Sequence, residues 1–182
     1  MTWLPYWGPE RQPATGLEPS LRKAASRCSG NLARVKIAMA SDHAGFELKE
    51  AVRQFLEGDG YEVVDVGTHS SESTDYPSFA AKASELVAAG DCDRGILVCG
   101  SGNGVAIVAN KVAGIRAVNA HDRDEAEMCR RHNDANVVTL SGQRLDVEQA
   151  APIVGAFLET EFEGGRHERR VKAISEVEQQ GL

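Results

Sequence analysis

The sequence predicts an α/β fold in which five parallel strands form one sheet layered between helices. From Val35 onward, short β-branched runs alternate with apolar residues at helical spacing, the signature of repeated βαβ units. The run Ile96-Leu97-Val98-Cys99-Gly100-Ser101-Gly102-Asn103-Gly104 adds an apolar strand that opens directly into three alternating glycines. A chain of 182 residues, 42% hydrophobic and 26% charged, is long enough for one domain with a sizeable core.

Residues 1–34 stand apart: Trp3, Pro5, Trp7, Pro9, Pro13 and Pro19 lead into a basic stretch through Arg22, Lys23 and Arg27. They read as a poorly ordered extension, either a targeting segment or the product of an upstream start codon, and Glu10 and Glu18 weaken the transit-peptide reading. The domain is expected over 35–182, with strands at 35–40, 61–66, 94–99, 115–119 and 136–140. After the first strand, Phe46, Leu48, Val52, Phe55 and Leu56 make a helical apolar face. After the second, Pro77 sits in a first helical turn ahead of Phe79, Ala83, Leu86 and Val87. A helix over 105–111 comes after the glycines, and another spans 147–159. Beyond the Gly164-Gly165 break, Val171, Ile174 and Val177 recur three apart, which predicts a terminal helix over 166–180 whose stripe packs on a neighbouring subunit.

A net charge of −7 argues against a nucleic-acid surface. No stretch approaches a membrane span, and Cys28, Cys92, Cys99 and Cys129 lack paired metal-site spacing. A reducing cytoplasm fits them best.

Ligands of parallel sheets bind at the carboxyl ends of the strands, so the segment just past each strand carries the chemistry. Here these segments hold Asp42-His43, the Cys99 loop, His121-Asp122 and Arg144. Alternating glycines let backbone N–H groups face one concavity, a cradle for an oxyanion or phosphate with a thiol at its lip. Taken singly, Asp42 reads as a helix cap, Arg131-His132-Asn133-Asp134 as a polar helix end and Arg166, Arg169 and Arg170 as a solvated face. Taken together, the three groups are expected to converge on one rim.

SDHAGFELK at 41–49, TDYP at 74–77, CGSGNG at 99–104, ANKVAGIRA at 109–117, RRHNDANV at 130–137 and EGGRHERRV at 163–171 occur in this order. The pattern resembles the type B ribose-5-phosphate isomerase family, which also contains the galactose-6-phosphate isomerase subunits. The resemblance implies a Rossmann-like three-layer αβα sandwich and a homodimer or dimer of dimers with active sites shared between chains. It implies an aldose-ketose isomerase needing no metal and no redox cofactor. By resemblance, Cys99 is the base that moves a proton between C1 and C2, and His132 opens the furanose ring. Asp42 holds sugar hydroxyls, Ser101 assists proton movement between O1 and O2, and the amides of Gly100, Gly102, Asn103 and Gly104 hold the enediolate oxygen. His43, Arg144, Arg166 and Arg170 match phosphate-binding positions and Asn133 a hydroxyl-binding one. Two features depart from the family: the loop 140–144 is one residue longer than usual, and residues 1–34 have no counterpart in its core.

The expected substrate pair is ribose 5-phosphate and ribulose 5-phosphate. Rival readings are isomerisation of allose 6-phosphate, galactose 6-phosphate or a tetrose phosphate, and a non-catalytic sugar-phosphate-binding module. Such a module would need neither Cys99 nor His132. A dinucleotide site is disfavoured because the glycine loop comes after the third strand rather than the first.

Overall fold

Strict alternation along the strands sorts their side chains onto two faces, and each face recruits its own helices. The computed structural model describes residues 35–180, so the expected extension 1–34 lies outside the described residues. The elements run β1 (Lys36–Ser41), α1 (Phe46–Gly58), β2 (Glu62–Asp65), α2 (Tyr76–Ala88), β3 (Arg94–Cys99), α3 (Asn103–Ala109), β4 (Ala117–Asn119), α4 (Arg123–Asn133), β5 (Val137–Ser141), α5 (Val147–Glu159) and α6 (Arg166–Gln180). Ile37, Met39, Ile96, Val98, Val138 and Leu140 pack with α1, α4 and α5, whose apolar stripes include Val52, Leu56, Ala126, Val154 and Phe157. Ala38, Ala40, Leu97, Cys99 and Val137 face α2 and α3 through Ala80, Ala83, Val105 and Ala109. Full burial of each larger aliphatic side chain is worth about 1.5–3 kcal/mol. The result is the expected three-layer αβα sandwich.

The sheet order is β2-β1-β3-β5-β4, with all neighbours parallel. The chain winds outward from β1 to β2 and then returns to place β3 on the other side of β1. That reversal opens a crevice between the carboxyl ends of β1 and β3, where Asp42 and the glycine loop begin.

Most elements fall within a residue or two of expectation, with α5 and α6 matching end for end. The fourth strand is shorter, because Ile115 closes a turn onto the Val112 carbonyl and the Arg116 side chain reaches back to Asn133 and Asp134. The third helix starts earlier, so Asn103 and Gly104 form its first turn. Among the described residues, no helix is long and apolar enough to cross a membrane.

A buried ion pair braces the β1 end of the crevice. Lys49 is fully buried, and its ammonium donates to Glu50 at 2.8 Å and to Asp65. The other Asp65 oxygen accepts the Gly67 N–H at 2.9 Å, and Gly67 and Thr68 bond both backbone groups of Ser41, the residue before Asp42. Hydrogen bonds from Arg53 and then Lys49, with their charges, outweigh burial and hold the Glu50 carboxyl at about 2 against an ordinary 4.5. A depressed folded-state value makes this carboxylate stabilising above pH 4.5, a contribution lost as pH falls toward 2. Glu50→Gln should therefore flatten the acid loss of stability in that window, as read by urea unfolding at successive pH values.

Candidate active site

The candidate residues form two clusters at opposite ends of the sheet, each a candidate half-site. At the carboxyl rim, Cys99 is 4% exposed and its Sγ accepts the Gly102 N–H at 3.1 Å. The loop beyond it is pinned through its carbonyls. Ser141 Oγ donates to Gly100 O at 2.8 Å, Thr139 Oγ1 to Gly102 O at 2.9 Å and Asn119 Nδ2 to Ser101 O at 3.2 Å. Of the loop's own N–H groups, Gly102 donates to the Cys99 sulfur and Asn103 to Ser101 Oγ at 3.3 Å, so the loop is tied to the two side chains at its lip as well as through its carbonyls. Gly102 has φ +79°, a left-handed conformation that favours glycine, and a Cβ there would run into the Asn119 amide.

Asp42 is buried and accepts the Gly45 N–H at 2.9 Å, so it closes a turn ahead of α1 while Gly45 holds the cap position. His43 is exposed, with Nδ1 at 3.2 Å from the Thr74 backbone nitrogen. Ser101, Asn103 and Arg144 lie exposed on this rim.

His132 and Asn133 belong to the other end. The convergence on one rim expected from sequence does not occur within one chain. Helix α4 leaves the carboxyl rim at Asp122, which caps it through the Glu125 N–H at 2.8 Å, and its 11 residues run back antiparallel to the strands. At about 1.5 Å per residue this carries His132 roughly 16 Å away. Arg116, just before β4, donates to the Asn133 carbonyl at 2.9 Å and fixes the helix end at the amino rim. Buried Arg130 completes the anchor by donating to Asp134 at 2.8 Å and to the Thr160 carbonyl at 3.2 Å.

The first turn of α6 meets this same end. The His132 and His167 rings stack with centroids 4.3 Å apart and planes 3° apart, and Glu163 Oε2 lies 3.6 Å from His132 Nε2. Arg166 Nε donates to His167 Nε2 at 3.1 Å, while Arg170 is exposed one turn along. Burial, then the charges of His132 and Arg166, push His167 below its ordinary value. Ligand atoms of His132, Glu163 and His167 lie within 4.8 Å of one another, a donor set that zinc accepts. Parallel rings cannot both aim an in-plane lone pair at one ion, and Arg131 and Arg166 add positive charge, so the arrangement suits proton transfer better.

The sequence profile of the ribose/galactose isomerases matches residues 37–174, a span that includes both half-sites except for the chain beyond the first two turns of α6. The chain belongs to this family. It is 48% identical to ribose-5-phosphate isomerase B of Escherichia coli K12 over 144 residues, 79% of this chain and 97% of that protein. Ribose-5-phosphate isomerase B of Clostridium thermocellum superposes with a TM-score of 0.80 at 47% identity, covering 81% of this chain and all of the other. The Mycoplasma genitalium enzyme, solved with bound ribulose 5-phosphate, gives 0.76 at 38% identity, covering 80% and 97%.

In this family member, sequence reasoning missed the residues that hold the candidate segments in place: Asn119, Thr139, Ser141, Arg116 and Arg130. A hydroxyl residue ending a buried strand was the available signal for Ser141, whereas Thr139 is a polar residue at the centre of one. His167 lies inside the EGGRHERRV motif, next to Arg166.

Proposed function

We propose that the chain interconverts D-ribose 5-phosphate and D-ribulose 5-phosphate, and that it works as a homodimer, or a dimer of such dimers, in a reducing cytoplasm. The observation that carries the shared-site reading is the separation of Cys99 from His132. A five-residue β5 rising about 3.3 Å per residue sets the two rims roughly 16 Å apart, farther than one pentose phosphate reaches. A second chain that brings its amino rim to the first chain's crevice completes the site.

Ring opening comes first. The O1 hydroxyl gives up a proton as C1=O forms, the C1–O4 bond breaks and O4 takes a proton, so the net change moves one proton and leaves His132 as it began. Asp42 holds the hydroxyls during this step and Asn133 another hydroxyl. The Cys99 thiolate then removes the C2 proton. The resulting negative charge on O1 meets the N–H groups of Gly100, Gly102, Asn103 and Gly104, and such donors supply a few kcal/mol each. Ser101 passes the O2 proton to O1, and the Cys99 thiol returns its proton to C1, leaving the ketone at C2. His43 and Arg144 from one chain and Arg166 and Arg170 from the other clamp the phosphate, whose oxygens suit planar guanidinium forks.

The test is conversion of ribose 5-phosphate by purified protein with chelator present, beside allose 6-phosphate and galactose 6-phosphate. Turnover of the pentose in preference to both hexoses is expected. Preference for a hexose phosphate moves the substrate and keeps the chemistry, and no turnover of any sinks the enzymatic reading.

A further inference from the structure

His132 needs more than a place on α4 to open a sugar ring, since an imidazole at a half-exposed helix end can turn about two bonds. Two contacts restrict it. The His167 ring lies parallel to it at 4.3 Å, setting its plane. The Glu163 carboxylate stands 3.6 Å from Nε2, so its charge favours the ring orientation that keeps Nε2 toward it. The His167 ring is itself locked, because it is 4% exposed and its Nε2 accepts from Arg166 Nε at 3.1 Å. That acceptance puts the His167 proton on Nδ1.

We propose that His167 and Glu163 are positioning residues for the ring-opening step, holding the His132 imidazole in the one orientation in which it exchanges protons with O1 and O4. This rests on the reading of His132 as the ring-opening group. His167 suits the task chemically: burial, then the charges of His132 and Arg166, push its pKa down and favour the neutral, flat ring beside a neighbour that takes up and gives back a proton. A residue that could charge would repel its stacked partner at the moment of transfer. The groups facing the pair are Glu163 and Arg131 from the loop and helix α4, and Arg166 and Arg170 from α6.

Ribulose 5-phosphate gives a readout that separates this role from a merely structural one. Its O5 is esterified, so the ketose has no ring to open, and exchange of its C1 hydrogen with solvent needs only the Cys99 half of the chemistry. His167→Ala should slow ribose 5-phosphate conversion about tenfold or more, the scale of a misplaced catalytic group, while deuterium entry at C1 of ribulose 5-phosphate in D2O stays within about twofold by NMR. His167→Phe keeps the stacking face and should recover most of the conversion. His132→Asn, run in parallel, sets the pattern of a lost ring-opening group. If His132→Asn shows that split and His167→Ala slows both reactions alike or neither, the positioning role is overturned alone. If His132→Asn itself slows both alike, the ring-opening reading fails and takes the proposal with it.

Discussion

Cys99→Ala should lower ribose 5-phosphate turnover by about 10³-fold, in the middle of the range for removing a general base, and leave sugar-phosphate binding within about threefold. Geometry dictates this split. The thiol is 4% exposed, accepts the Gly102 N–H and sits where β3 enters the glycine loop, and on the proposed assignment a substrate carbon held by that loop lies against the sulfur. On the proposed assignment the phosphate and hydroxyl contacts come from other residues and are expected to survive the change. Cys99→Ser should fall nearly as far, since a hydroxyl in that place is a far weaker base than a thiolate. The pair of measurements is steady-state turnover and calorimetric titration with ribulose 5-phosphate. Turnover within tenfold of the unaltered protein would sink the mechanism, and loss of binding in step with turnover would mean that the thiol holds the loop rather than reacts.

That the Asp42, Cys99 and Arg144 segments lie on the carboxyl rim was legible because each is at or just past the end of a strand. Strand alternation is a local signal, and the residue after a strand is fixed at that strand's end whatever the rest of the chain does. The amino-rim half was misplaced for a related reason. Sequence order tells which residues come after β4, but α4 carries its far end back across the sheet, and RRHNDANV contains no mark of which rim it reaches. Element ends were legible where a capping residue marks them, as Asp146 and Gln149 do in the reciprocal cap of α5 and Gly164-Gly165 do before α6. They were less so at β4, whose leading residues are claimed by long-range partners: Asn136 accepts the Arg116 N–H at 2.8 Å, and Asp134 accepts its guanidinium at 2.9 Å. Asn119, Thr139 and Ser141 stayed hidden because period-two patterning shows that a residue lies in a strand, not that its polar tip meets a loop from another strand.

The α6 stripe bears on assembly. Val171 is half-buried, while Ile174 and Val177 are 46% and 52% exposed, so the chain covers only part of the face that the sequence marks as apolar. Ile107 on α3 and Met128 on α4 are exposed as well. Helices so placed are available to a second copy, and a twofold pairing would present each chain's amino rim to the other's crevice in the same way twice.

Mixing two inactive variants puts that pairing to its strongest test. Cys99→Ala disables the carboxyl-rim half-site and His132→Asn the amino-rim half-site, so neither homodimer turns over ribose 5-phosphate. In a heterodimer, one of the two sites receives both altered residues and the other receives the unaltered cysteine and the unaltered histidine. Random reassociation of equal amounts makes half the dimers mixed, each with one working site, and activity should return to about a quarter of the unaltered protein's. Combining Cys99→Ala with Arg170→Ala should recover activity likewise, because Arg170 lies on the helix whose first turn stacks on His132. The double variant Cys99→Ala/His132→Asn, mixed with unaltered protein, supplies the control: its heterodimers carry one altered residue in each site and add nothing. If the two single variants stay at the level of either parent after subunit exchange is verified by mass, each chain works alone, and the separation of roughly 16 Å between the rims, about the length of α4, would then have to be closed by a rearrangement within one chain.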